Sequence, residues 1–302
     1  MAAVTDTERT AEQMPGGGVG RWLFDPVPAA RIAAFRTLVY GFVVVDLLVV
    51  SRWVWWKSDV STELYQPLLV GRLLPLPAPT PLLVDAIFWL LLAAATVAAT
   101  GRWPRLLGWT VFALYFEWMV VAMSYGKVDH DRFAFLVALA VLPTVGRARH
   151  GDPELSQAGG WALRVTQLSV VATYFLASWA KLRFGGLGWL TGSTLTWAVV
   201  RRESWLSSAL LSVPGLLVAS QFAIVAFELL SPAVLFLHRH WRYAAVGFFF
   251  AFHVVTFACI GISFAPHLVA LTAFLPLERL RPIRRFQQRR TVMRSSSRAR
   301  AE

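Results

Sequence analysis

Four polar side chains, Gln167, Tyr174, Ser178 and Lys181, recur at helical spacing along an otherwise apolar stretch. They therefore share one face of a helix that runs into the glycine-rich segment FGGLGWLTG, Phe184 to Gly192. An ionisable group at the edge of a membrane helix is costly unless it meets a cavity, a partner or water. Two chemistries are open to Lys181. Its stem can snorkel along the helix so that the ammonium reaches the interface. Alternatively, a partly dry pocket could hold it as a neutral amine able to take up a proton as a general base.

Asp46, Glu117, Glu228 and His253 also lie in apolar runs or at their edges. In a bilayer such groups either pair to assemble helices or serve a function. Glu228, in FELLSP, falls toward the inner half of its run and is expected to form a structural ion pair with Arg36. Asp46 and Glu117 fall in outer halves, nearer the level of Lys181. His253, in FFFAFHVVTF, suits a helix–helix hydrogen bond as well as it suits catalysis. The run Asp129, His130, Asp131 has metal-ligand chemistry, but three adjacent residues cannot easily wrap one ion, and no metal is expected.

The elements that carry these groups are apolar throughout. The chain is 57% hydrophobic and 15% charged, with mean hydropathy +0.55. A soluble domain is about 45–50% apolar and about 25% charged. The reading is an all-α polytopic membrane protein with about eight transmembrane helices in one bundle. The expected segments are Arg31 to Ser51, Leu82 to Thr100, Arg105 to Ser124, Phe133 to Val145, Trp161 to Lys181, a run within Ala209 to Leu237, Tyr243 to Ile262, and Pro266 to Leu275. The fourth and last are short and could be re-entrant or tilted. Residues 26–278 form the membrane domain. Residues 1–25 read as a disordered tail without a signal peptide, and 279–302 as a basic tail. The lone cysteine, Cys259, excludes an intrachain disulfide and CxxC chemistry.

Net charge is +12, yet the basic residues sit between apolar runs and in the tail, which points to lipid and not to nucleic acid. Arg279, Arg281, Arg284, Arg285, Arg289, Arg290, Arg294, Arg298 and Arg300 suit anchoring at an anionic leaflet. With both termini in the cytoplasm, Arg102, Arg105, Arg147, Arg149, Arg239 and Arg242 also fall in loops on the inner side of the cytoplasmic membrane. The opposite loops then hold Trp53, Trp55 and Trp56, the His130 turn, and the chain that follows Lys181. His130 and Lys181 reach the same, extracytoplasmic, face.

Five stretches in order carry a family resemblance. They are RTLVYGFVVVD (Arg36 to Asp46), VDHDRF (Val128 to Phe133), YFLASWAKL (Tyr174 to Leu182) followed by GWLTG, FELLSPAVLF (Phe227 to Phe236), and FHVVTFACIGISFAPHLVA (Phe252 to Ala270). Together they are similar to the membrane portion of vitamin K-dependent gamma-glutamyl carboxylases, within the horizontally transferred transmembrane (HTTM) proteins. The resemblance implies an active site on the extracytoplasmic side. There, oxygenation of a reduced naphthoquinone such as menaquinol drives removal of a glutamate gamma proton, and the carbanion captures carbon dioxide. It implies that Lys181 is the base and that His130 acts in the carbanion half. Tyr174, Ser178, His253, Asp129, Asp131 and Glu117 would line the substrate or quinone site. A peptide or secreted protein would be the substrate, and the quinone would enter from the bilayer.

The sequence departs from the family's pattern at three points. An arginine tail stands where those enzymes carry a large soluble domain, Ala180 precedes the single Lys181 where they have paired lysines, and aspartates flank His130 where they have asparagines. The alternative reading is a non-enzymatic carrier, transporter or assembly factor, whose polar groups hold the helices together or line a permeation path.

Overall fold

The computed structural model describes residues 17–74 and 76–280. The basic arm beyond Leu280 and the first sixteen residues lie outside the described residues. The helices that position the site follow one another along the chain. They are α1 (Ala29–Val45), α2 (Pro81–Ala99), α3 (Leu106–Met123), α4 (Phe133–Val141), α5 (Gln157–Thr191), α6 (Pro214–Leu230), α7 (Arg239–Ile260) and α8 (Ala265–Leu271). A short antiparallel pair, Val27–Pro28 with Leu155–Ser156, ties the entry of α1 to the entry of α5.

Local sequence explains where the helices begin and end. Thr80 Oγ1 accepts from Leu83 N at 3.3 Å, and Pro81 occupies the first turn of α2, where no amide hydrogen is needed. Ser156 Oγ caps α5 through Gly159 N at 3.0 Å. Pro214 opens α6, and Gly261, at φ 64°, closes α7 in the left-handed region that suits glycine. Helix α1 is continued by a π-helical turn, Asp46–Val50, and such turns recur where a helix must present a buried functional or structural group. Helix α4 runs on as a 3-10 turn, Leu142–Val145, α6 as Ser231–Leu235, and α8 as Thr272–Phe274.

Among the described residues, five helical segments are long and apolar enough to cross a membrane: Ala29–Val50, Pro81–Ala99, Leu106–Met123, Pro214–Leu235 and Arg239–Ile260. They mark the chain as a membrane protein. Leu48, Val49, Leu90, Leu176, Phe248, Val254 and Val255 face outward, a pattern that suits lipid better than water. Of the other expected spans, α5 has the length, at 35 residues, but carries Arg164, Lys181 and Arg183. The α4 and α8 segments are short.

Among the described residues the bundle has two cores. Phe35, Tyr40 and Val43 of α1 and Leu47 of its π-helical turn pack with Phe88 and Leu91 of α2, Tyr115 and Trp118 of α3, and Phe135 and Leu139 of α4. Val170, Val171 and Tyr174 of α5 pack with Val234 and Leu235 after α6, Val246 and Phe249 of α7, and Ala270 and Leu271 of α8. Helix α4 packs on α5 and contributes Ala134 to the second core and Phe135 to the first, so it joins the two halves.

Candidate functional site

Helices α5 and α6 run antiparallel, and side-chain bonds to backbone carbonyls fix their register. Ser231 Oγ donates to Val171 O at 3.2 Å, and Ser178 Oγ donates to Val225 O at 3.1 Å. Gln221 Nε2 donates to Leu190 O at 2.7 Å and Gly192 O at 3.0 Å, while its Oε1 accepts from Leu195 N at 2.6 Å. In this register Glu228 lies opposite Ser178 and Lys181. Glu228 Oε2 accepts from Ser178 Oγ at 2.9 Å and from Lys181 Nζ at 2.5 Å.

The expected ion pair between Arg36 and Glu228 is not formed, so that expectation is corrected. Arg36 Nη2 instead donates to Gly146 O at 2.7 Å, at the carbonyl end of the turn Leu142–Val145. That end carries unpaired carbonyls and partial negative charge, which a guanidinium satisfies without a carboxylate. Glu228 also cannot lie at the opposite membrane level from Lys181, because the two touch. Helix α5 passes through Lys181 as regular helix before Gly186, at φ 57° and ψ −155°, interrupts it. The ammonium is therefore turned sideways into α6 and lies 5.4 Å from the Trp189 ring centroid. Its side chain is 23% exposed against 7% for Glu228.

A second polar contact lies next along the same face of α5. Tyr174 Oη and His253 Nε2 are 2.7 Å apart, joining α5 to α7. The Tyr174 ring stacks on Phe249 at 4.5 Å, and His267 of α8 meets it edge-on at 4.7 Å. His253 packs against Phe264 at 4.6 Å and His267 at 5.6 Å. Phe264 in turn lies 6.1 Å from His130, which is exposed at the start of the turn leading into α4. Rings therefore run from an exposed imidazole, His130, through Phe264 to buried His253, Tyr174 and His267.

Of the residues singled out in the sequence, Tyr174, Ser178, Lys181, Glu228 and His253 converge, with His130 at the rim. Asp129 forms an ion pair with Lys127 at 2.8 Å, outside this cluster. Burial raises the Asp131 carboxyl above its ordinary range, against the opposing charge of Arg132. Glu117 stands apart. Its helix packs on α2, α4 and the turn Arg52–Asp59, and both its carboxylate oxygens are buried without a hydrogen bond.

Two features escaped the sequence reading. His267 is buried with both ring nitrogens unbonded, and its only sequence signal was a histidine inside the apolar run APHLVA. Arg132 pairs with Asp46 at 2.8 Å, and Tyr115 Oη and Ser51 Oγ also donate to Asp46 Oδ2, at 3.0 and 2.7 Å. Trp118 Nε1 donates to Ser51 Oγ at 3.0 Å. Arg132 is two residues from His130, so this network anchors the turn that carries it. Its signal was the intramembrane aspartate itself, but the partner is 86 residues away.

What the cluster can do is move protons. An amine and a carboxylate share one hydrogen bond, and a phenol and an imidazole share another, with Tyr174, Glu228 and His253 buried and Lys181 at the edge. Set against family models, curated proteins and solved structures, the chain matches none.

Proposed function

We propose that this chain is a membrane enzyme of the carboxylase-like, HTTM kind, which abstracts a proton from a lipid-soluble quinol at the Lys181 cluster. The observation that carries the reading is the convergence of Lys181, Glu228, Tyr174 and His253, from three helices, beside the apolar side chains of the second core. Moving the proton across the contact between Lys181 and Glu228 leaves an amine and a carboxylic acid, which lifts the cost of holding two charges in low dielectric. The freed amine then takes the quinol hydroxyl proton, and the quinolate is the species that reacts with oxygen. Tyr174 and His253 orient the quinol ring or relay a proton, and His130 acts at the open rim on the glutamate carbanion that captures carbon dioxide. The same reading has about eight segments crossing the cytoplasmic membrane, both termini inside, and His130 with Lys181 toward the outside.

A second reading has one specific observation in its favour. The bond between Lys181 and Glu228 also fastens α5 to α6, as a carrier or assembly factor would require. Quinone analysis of the detergent-purified protein separates the two. The enzyme reading expects menaquinone to co-purify and reduced quinone to be consumed in the presence of oxygen. Protein free of quinone and inert toward menaquinol would overturn it.

A further inference from the structure

A cleft of about 350 Å³ opens between the 3-10 turn Arg52–Asp59 and the first turns of α2, against the bundle's first core. Its walls are Arg52, Trp55, Trp56, Ser58, Asp59, Pro81 and Asp85. The volume falls in the range of small-molecule sites, roughly 300–1,000 Å³. Trp55 is fixed, with its ring 4.3 Å from Phe88 and 6.3 Å from Trp89, while Trp56 is 69% exposed. Ser58 Oγ is already engaged, donating to Trp55 O at 2.9 Å. The nearby Lys57 ammonium is drawn off over the rings of Trp53 and Tyr125.

The three charged residues of the cleft behave differently. Arg52, Asp59 and Asp85 make no ion pair or side-chain hydrogen bond among the described residues, and Asp85 Oδ1 is buried without a donor. A carboxylate left without a donor favours one supplied from outside, and the oxygens of Asp59 and Asp85 open to the cleft are where it can be met. Two carboxylates beside indole faces suit a cation. The lone guanidinium suits a phosphate. The cleft lies where the membrane segment Ala29–Val50 ends and the next begins, and tryptophans gather at such ends, at the level of lipid head groups.

We propose that this cleft binds the head group of an amine phospholipid, with its primary ammonium on Asp85 and Asp59 and its phosphate on Arg52. A primary ammonium is required because its N–H can bond the carboxylate oxygens of Asp59 and Asp85 that the cleft leaves open; the quaternary nitrogen of a choline head group has none to give. This site is independent of the Lys181 chemistry.

The test is competitive. The purified protein is placed in nanodiscs holding equal phosphatidylethanolamine and phosphatidylcholine, and the lipids that stay bound on release are counted by native mass spectrometry. Wild type should retain phosphatidylethanolamine over phosphatidylcholine by about tenfold, the worth of one charge-assisted hydrogen bond. Asp85→Asn should bring that ratio close to one. Should Asp85→Asn fail to fold, Asp59→Asn and Arg52→Gln give the same comparison from exposed positions, the first lowering the preference and the second weakening both lipids. Thermal stabilisation by free phosphoethanolamine, lost in the same variants, would assign the same chemistry to a soluble amine phosphate instead of a lipid. A wild-type ratio of one with no response to phosphoethanolamine, or a preference that these variants leave unchanged, overturns the proposal.

Discussion

Arg132 Nη1 lies 2.9 and 2.8 Å from the two carboxylate oxygens of Asp46, and both residues are buried. The pair joins the π-helical end of α1 to the turn that starts α4. Tyr115 completes it, accepting from Arg132 Nη1 at 2.7 Å while donating to Asp46. Breaking a buried pair from one side leaves an uncompensated charge. Asp46→Asn or Arg132→Met alone is therefore expected to lower stability by about 3–5 kcal/mol. The double variant should lose much less than the sum of the two, as a double-mutant cycle in denaturant or heat would reveal. Strict additivity would mean that the two charges do not meet.

The contact between Lys181 and Glu228 allows structure and chemistry to be separated. Lys181→Arg keeps a cation opposite Glu228, but a guanidinium with pKa above about 12 gives no usable base. We expect folded Lys181→Arg protein whose quinol turnover in membranes is abolished, and Lys181→Met protein that is also less stable. Wild-type turnover in Lys181→Arg would make the lysine a fastener only. In the same assay of stability, Lys181→Ala with Glu228→Ala should be strongly non-additive. Arg36→Ala with Glu228→Ala should add to within about 0.5 kcal/mol, because those side chains have separate partners.

Tyr174→Phe removes the hydroxyl from His253 Nε2 and leaves the ring packed on Phe249. The expected cost is about 1–3 kcal/mol, that of one buried ring nitrogen without its partner. Under the proposed function, turnover falls by more than the change in folded fraction. Turnover that tracks the folded fraction alone would limit the pair to holding α5 against α7.

Glu278 takes two hydrogen bonds from Arg31, Nε to Oε2 and Nη2 to Oε1, each 2.9 Å. Burial works to raise this carboxyl, but the Arg31 bonds and charge outweigh it and hold it below the ordinary value of 4.5. A carboxyl depressed in the folded state stabilises fully above that value, and its contribution disappears as pH falls through the lower folded value. Melting temperature should therefore drop in acid below about pH 4.5, and Glu278→Gln should flatten that limb while lowering the plateau at neutral pH. An acid limb unchanged by Glu278→Gln would remove this pair from the account.

Much of the helical framework was legible before any coordinates. The runs expected over Leu82 to Thr100 and Tyr243 to Ile262 lie within a few residues of α2 and α7, because the capping and φ restrictions that end helices act locally. The polar face of Gln167, Tyr174, Ser178 and Lys181 followed from the same 3.6-residue geometry, and the structure buries Gln167, Tyr174 and Ser178 along it. Helix α5 begins before Trp161 and continues past Lys181 because nothing at either point caps or breaks it before Ser156 and Gly186.

Partner choice was not legible, and the reason is physical. Asp46, Arg36, Glu228 and Lys181 each announce that a charge inside the membrane needs compensation, but sequence gives neither the rotation nor the register of one helix against another. Pairing by supposed depth joined Arg36 to Glu228. The ladder of Ser178, Gln221 and Ser231 bonds to backbone carbonyls sets α6 so that Glu228 meets Lys181, and leaves Arg36 to the carbonyl of Gly146. What the chain by itself determined is which segments are helical and apolar and which side chains need a partner, since those depend on neighbours a few residues away. What only the tertiary structure decided is who the partner is, because contacts 47, 79 and 86 residues apart are selected by the packing of whole helices.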